Sequence, residues 1–508
     1  MIVALLSCLA EEPVTKPAAS QITLLRDGVV RNGEESFWNR FEPLNWAPGA
    51  TVNAFGQQIV APQSASCLTV FQVPLGNASR LAAVGAEANT DVVFSPDEKR
   101  LAIGTHLGEV LVVDAFTGDV LARETFSEGM VKWVRWSADG QTIYAAEQSP
   151  DGFVLALDAS DLSRRWTFRL ADFVKSSPLP AGEDVYGVYS LPAAYGLEVL
   201  NDGTLLIAAA HSWGPFGTGR QNLSQLFRVS QSGEILQRWP DEPADVIIKH
   251  FRLDQSQEKV AIVLSRSADG EQTSSVPGAG IQILSVPALQ PQGHFEVEPL
   301  APYFSTADVW EAFDLSSRVF MGLVDGRVLS FDEQGTQEWV IEPSTPLQAG
   351  DVPIHSSIGW GHWLGEQAVF TTSVTYIPFG ANVPDMQPPM PHPQANSLMA
   401  VDSSGQTLWN WQSAPIIQGL TIRHDKGEIL VGGGRRQGDD RKDAFGGYLI
   451  DPDPSLPHSQ RLRAHCATES PVFFRHALAS DGRVALIELP VKTGDERIWG
   501  AYRLTVMR

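Results

Sequence analysis

Cysteine is scarce in this chain: three in 508 residues, at Cys8, Cys67 and Cys466, none in a Cys-x-x-Cys or Cys-x-x-Cys-His setting. That spacing excludes zinc ribbons and covalently attached c-type haem by motif. Positive charge is scarce too. Thirty-seven Lys and Arg stand against 59 Asp and Glu, a net charge of −22, which disfavours nucleic acid and anionic membrane as partners because both need a positive patch. No apolar run approaches the roughly 18 residues that span a bilayer. Also missing are a Gly-x-Ser-x-Gly elbow, a His-Glu-x-x-His helix, a twelve-residue calcium loop and a phosphate loop ending in Gly-Lys-Ser/Thr. With those motifs absent, no catalytic residue, cofactor or metal site is expected.

What is present is the composition of a folded protein with a large core, 43% hydrophobic and only 19% charged. Gly 44 and Pro 34 point to many tight turns between short elements. Self-similarity along the chain is the strongest signal. Val92-Val93-Phe94-Ser95-Pro96-Asp97-Glu98-Lys99-Arg100-Leu101-Ala102-Ile103-Gly104 reads as two apolar strands flanking a polar turn. Val134 to Tyr144, around Ala138-Asp139-Gly140, repeats it, as does Leu197 to Ile207 around Asn201-Asp202-Gly203. Asp-Gly and Asn-Asp-Gly suit such hairpins because Gly, Asn and Asp tolerate positive φ. Weaker copies around 251–263, 313–323, 358–371, 422–431 and 477–487 bring the number of units to eight.

The first seven hairpins are each followed by a second signature, an apolar strand ending near Asp or Ser, a turn, and another strand. Leu111-Val112-Val113-Asp114 and Met399-Ala400-Val401-Asp402-Ser403-Ser404-Gly405 are clear examples. Trp166, Trp239, Trp339 and Trp409 recur on the strand after this turn, where an indole can cover the seam between neighbouring sheets. Four short strands per unit, repeating every 40 to 65 residues or so, is the pattern of a propeller blade. The Phe-Ser-Pro-Asp and Asp-x-x-Thr-Gly pieces resemble the WD-repeat and quinoprotein-like (PQQ-like) β-propellers over about residues 67–508. The Trp-Asp dipeptide is missing after every third strand, and no blade carries a convincing Gly-His start. The resemblance implies an all-β fold, a single β-propeller of eight four-stranded blades, with seven to nine compatible with the pattern.

The last unit stops after three strands, the third running from Trp499 to Met507. Leu68-Thr69-Val70-Phe71-Gln72-Val73 is the expected fourth, closing the ring and removing an exposed sheet edge. That pairing would place Cys67 in the same blade as the loop holding Cys466, so a disulfide between them is expected as a latch. Residues 21–66, with Phe37, Trp38, Phe41 and Trp46, are then an arm packed on the propeller's outside or across one face. Residues 1–20 form a leader and linker. Their Leu5-Leu6-Ser7-Cys8 resembles the lipobox of bacterial lipoproteins, although no Lys or Arg precedes the apolar stretch. The resemblance implies acylation of Cys8 after signal cleavage; the other reading is an ordinary apolar tail.

Four segments depart from the repeat and are the candidate binding loops. The first contains His211, Trp213 and Arg220 in a glycine-rich stretch. A second runs from His355 through Trp360, His362 and Trp363, open to a pocket, a metal or plain packing. The third, 378–393, is proline-rich with Met386, Met390 and His392, compatible with soft-metal ligation or an extended insertion. The fourth, Gly432 to Asp443, carries Arg435 and Arg436 as a charged hairpin tip. The function expected is a non-catalytic scaffold for protein partners, periplasmic or held at the outer membrane or cell surface of a bacterium. A quinone- or metal-dependent propeller enzyme and a carbohydrate-binding propeller are the alternatives.

Overall fold

The computed structural model describes residues 65–78, 90–127, 129–179, 190–214, 221–265, 276–277, 280–297, 310–314, 316–349, 352–372, 392, 394–412, 417–434, 445–492 and 497–508. Cys8, Arg220, Met386, Met390, Arg435 and Arg436 lie outside them.

Each of the eight hairpins read from the repeat forms the first two strands of an antiparallel sheet. Among the described residues there are eight four-stranded sheets, seven of them in simple chain order, at 92–125, 130–169, 193–244, 247–295, 310–341, 358–412 and 417–467. A single residue pair, Ala193 with Gln148, joins the second and third. The eighth sheet takes Val472–Leu478, Val484–Glu488 and Arg503–Met507 from the end of the chain and Thr69–Pro74 from near its start, in that order outward. Phe71 to Pro74 pair antiparallel with Val506 to Arg503. The protein is thus a β-propeller, with sheets as its blades.

Turn chemistry explains why the strands stop where they do. Every first hairpin carries one residue in the left-handed region: Glu98, Gly140, Gly203, Gln257, Ser317, Gly365, Gly427 and Gly482. In most second hairpins a carboxylate gathers the turn's amides, Ser230 and Ser285 doing so in the third and fourth blades. Asp114 Oδ1 accepts the N–H of Phe116 and Thr117, both at 2.9 Å, and Asp402 Oδ1 those of Ser404 and Gln406 at 2.8 and 3.0 Å.

The cores lie between the blades. Leu101, Ile103, Leu111 and Val113 of the first sheet pack with Val73, Ile487, Leu504 and Val506 of the eighth. The opposite side of the first sheet packs on the second through Ala102, Val110, Val112, Val131, Val134 and Ile143. Six further clusters repeat this between the remaining neighbours. Innermost strands stand side by side in the same order, and that of the eighth sheet returns to that of the first.

Polar devices repeat across the seams as well. Phe71, Trp166, Phe295 and Trp339, each on an outermost strand, lie over Gly118, Gly233, Gly335 and Gly405 in the second hairpin of the next blade, where a Cβ would meet the ring at 2.5–3.0 Å. The indoles of Trp166 and Trp339 also donate to the Gln231 and Ser403 carbonyls at 2.7 and 3.0 Å. Trp239 and Trp409 occupy the same kind of strand but are buried, Trp239 in a cluster with Leu289 and Trp409 beneath the Arg461 guanidinium at 4.6 Å. Arg100 reaches into the second blade, donating to Gly140 O at 2.7 Å, just as Arg483 of the eighth donates to Ala115 O and Glu98 O of the first at 2.7 and 2.9 Å.

Two details differ from the sequence reading. Cys466 is not in a loop of the last blade; it lies on Leu462–Ala467, the fourth strand of the seventh. Ala65–Ser66 pairs parallel with that strand before the chain crosses to the eighth sheet, so the Cys67–Cys466 disulfide, Cα atoms 4.6 Å apart, ties two blades together. The third strand of the last blade begins at Arg503, because Ile498–Trp499 pairs instead with Val491–Lys492 in a separate hairpin.

Candidate functional site

Strand alternation gives a propeller two unlike faces. Here the turns within the hairpins share one face, and most are short and closed by Asp or Ser side chains; the longer 451–461 connection of the seventh blade, which holds the 3-10 helix His458–Gln460, is an exception. The opposite face collects the links from second to third strand and from each blade to the next. All four segments that break the repeat have at least one end on this loop face, and the connections at 170–192 and 342–357 join them there.

Three histidines on this face, His211, His355 and His392, bond the protein's own backbone. His211, near the end of Leu205–Trp213, is buried and its Nδ1 lies 2.8 Å from the Val174 carbonyl, a contact that requires Nδ1 to be the protonated nitrogen. Its Nε2 lies 2.8 Å from Ser177 Oγ and 3.0 Å from Ser190 O. With Nδ1 protonated, Nε2 accepts from the Ser177 hydroxyl, so the ring pins the end of the short helix Ala171–Val174 and Ser177 to the third blade, with Ser190 O close by. Trp213 packs on His211 with centroids 4.6 Å apart, and the Lys175 ammonium lies 5.3 Å from the indole centroid.

His355 and His392, 37 residues apart in sequence, are brought together by the connection leaving the fifth blade. His355 Nδ1 donates to Ser344 O at 2.9 Å, and its Nε2 is 3.4 Å from Glu342 Oε2. His392 Nδ1 accepts the Gln394 N–H at 3.1 Å, which leaves Nε2 to donate to Thr345 O at 3.1 Å. Gln394 closes the knot by accepting the Thr345 N–H through Oε1 at 2.5 Å. Burial, with His355 nearby, pushes the His392 imidazole down to about 4. This neutral ring anchors the returning end of the proline-rich segment.

Trp360, His362 and Trp363 do not join His355. They lie along the inner strand Ile358–Leu364, which runs away from the loop face, and Trp363 packs at a tilt against His424 in the first hairpin of the seventh blade, ring centroids 4.2 Å apart. Packing along a strand is one of the readings the sequence left open for them, since a strand spreads consecutive residues over two faces and more than 3 Å each.

Residues with no sequence signal complete the face. Glu147, at the end of Thr142–Gln148, is fully buried, accepts from Ser149 Oγ at 3.1 Å, and burial raises its carboxyl to about 7. Among 59 acidic residues nothing marked it. Ser177 and Lys175 lie in a connection whose length was the only clue. Among the described residues no group of three or more His, Cys, Asp or Glu is placed to hold a metal ion. The face is thus a set of long links whose ends are fixed by buried polar knots, suited to presenting a contact surface.

No protein-family model matches the chain, and no curated protein does. Solved propellers are similar in fold. The C-terminal WD40 domain of Sif2 superposes with a TM-score of 0.52 at 12% identity, covering 87% of this chain and 98% of that one. The Dos1 propeller gives 0.52 at 11% identity, covering 87% and 94%. BamB from Moraxella catarrhalis, at 11% identity over 67% of this chain and 81% of its own, gives 0.42.

Proposed function

We propose that this chain is a non-catalytic scaffold of the bacterial cell envelope that binds protein partners through its loop face. The observation that carries the reading is the asymmetry of the ring: mostly tight turns closed by their own Asp or Ser side chains on one face, and on the other the long links, with ends held by His211, His355 and His392. Buried clasps of this kind lower the entropy lost when a loop surface meets a partner. A bridge between Cys67 and Cys466 suits an oxidising compartment, and the lipobox-like end at Cys8 suits a lipid anchor that keeps the scaffold near a membrane.

The test is a pull-down from native envelope with the full chain and with a variant in which 373–391 is replaced by a short Gly-Ser link. A protein partner retained by the parent and lost or weakened at least tenfold in the variant is the expected result. Retention unaffected by this exchange but abolished by Phe116→Asp on the opposite face would contradict it. Mass spectrometry of the N-terminal peptide is expected to find acyl chains on Cys8.

A further inference from the structure

Ten large apolar side chains are exposed among the described residues, and five of them belong to the neighbouring eighth and first blades. Leu68, 76% exposed, and Val70 belong to the segment that completes the eighth blade. Phe116, 54% exposed, Val120 and Leu121 belong to the second hairpin of the first. Phe71 joins the two groups by lying against Gly118. Isolated exposed apolar residues are ordinary, but a concentration on one rim marks a surface that something covers.

We propose that residues 34–46 of this same chain dock on that surface. They read Glu-Glu-Ser-Phe-Trp-Asn-Arg-Phe-Glu-Pro-Leu-Asn-Trp, four large aromatics in thirteen positions. The chain reaches the ring beside the patch: Ala65–Ser66 is held on the seventh blade, Cys67 is bonded to Cys466, and Leu68 N–H donates to the carbonyl of the terminal Arg508 at 2.7 Å. Only roughly 20 residues separate this segment from Ala65, and a tether of that length supplies an effective concentration on the order of millimolar. A separate protein would have to be present at that level to compete on equal terms. The acidic Glu34, Glu35 and Glu42 suit the exposed Arg508 next to Leu68. The docked segment covers the seam between first and last blades and leaves the loop face clear.

The test places a photoreactive residue in the full-length protein, Leu121→benzoylphenylalanine, with Val340→benzoylphenylalanine on the fifth blade as an equally apolar control. Irradiation followed by peptide mapping is expected to join position 121 to residues 34–46 within one monomer, at least tenfold more often than position 340. Phe37→Ala/Trp38→Ala/Phe41→Ala is expected to reduce that yield at least fivefold while the circular dichroism stays that of a β protein. Products of dimer mass, attachment to any other segment, or equal yields from the two positions would overturn the proposal.

Discussion

Glu147 shows what burial does to a single carboxyl. Its environment holds the pKa near 7 chiefly because water is excluded, with Ser149 and Ser127 opposing the shift. Below about pH 4.5 the group is protonated folded or unfolded, and its burial then carries no ionisation penalty. Between about pH 4.5 and 7 the unfolded chain has released the proton while the folded one still holds it, so stability falls across that window, by about 3 kcal/mol in total. Glu147→Gln is expected to remove this slope, leaving the mutant more stable than the parent at pH 8 and close to it at pH 4.5, as read from urea midpoints. At this scale the sequence was only partly legible. His211, His355 and His392 stood out as unusual, yet whether an imidazole faces a ligand or the backbone depends on carbonyls contributed by segments 11 to 47 residues away.

Among the elements, the aromatic lids over the second-hairpin glycines are the most repeated seam device. Gly405 has φ +81° and a Cβ there would lie 2.9 Å from Trp339, whereas Gly365, φ +63°, faces open space. Gly365→Ala should cost only the backbone term, about 1–2 kcal/mol. Gly405→Ala should cost at least about 1 kcal/mol more, since the ring of Trp339 and its bond to Ser403 O must shift. Thermal or denaturant unfolding of the two variants side by side measures the difference. Strands and hairpins were legible because alternating apolar residues and Asp-Gly turns are local properties. The lids at Trp166 and Trp339 were legible for the same reason. Trp239 and Trp409 differ because the residue facing them in the next blade is Leu289 or Arg461 rather than glycine, which no pattern within their own blade records.

For the whole molecule, the junction of last and first blades is built like an internal one. It has an apolar cluster of the usual kind, an aromatic lid on Gly118, and Arg483 repeating the role of Arg100. The disulfide spans 399 residues, for which the chain-entropy expression gives about 6 kcal/mol and typical measured bridges about 2–4. Use of the early strand could be inferred from a last blade one strand short. The seat of Cys466 in the seventh blade could not, because it depends on a parallel contact of only two residues, Ala65 and Ser66, which leaves no periodicity to read.

Amide hydrogen exchange across 69–74 tests the closure most directly. These residues are expected to exchange as slowly as Arg503–Met507, within about tenfold, because the two strands share one ladder. Exchange of 69–74 at the rate of an unstructured peptide, with Arg503–Met507 still protected, would contradict a ring completed by the start of its own chain.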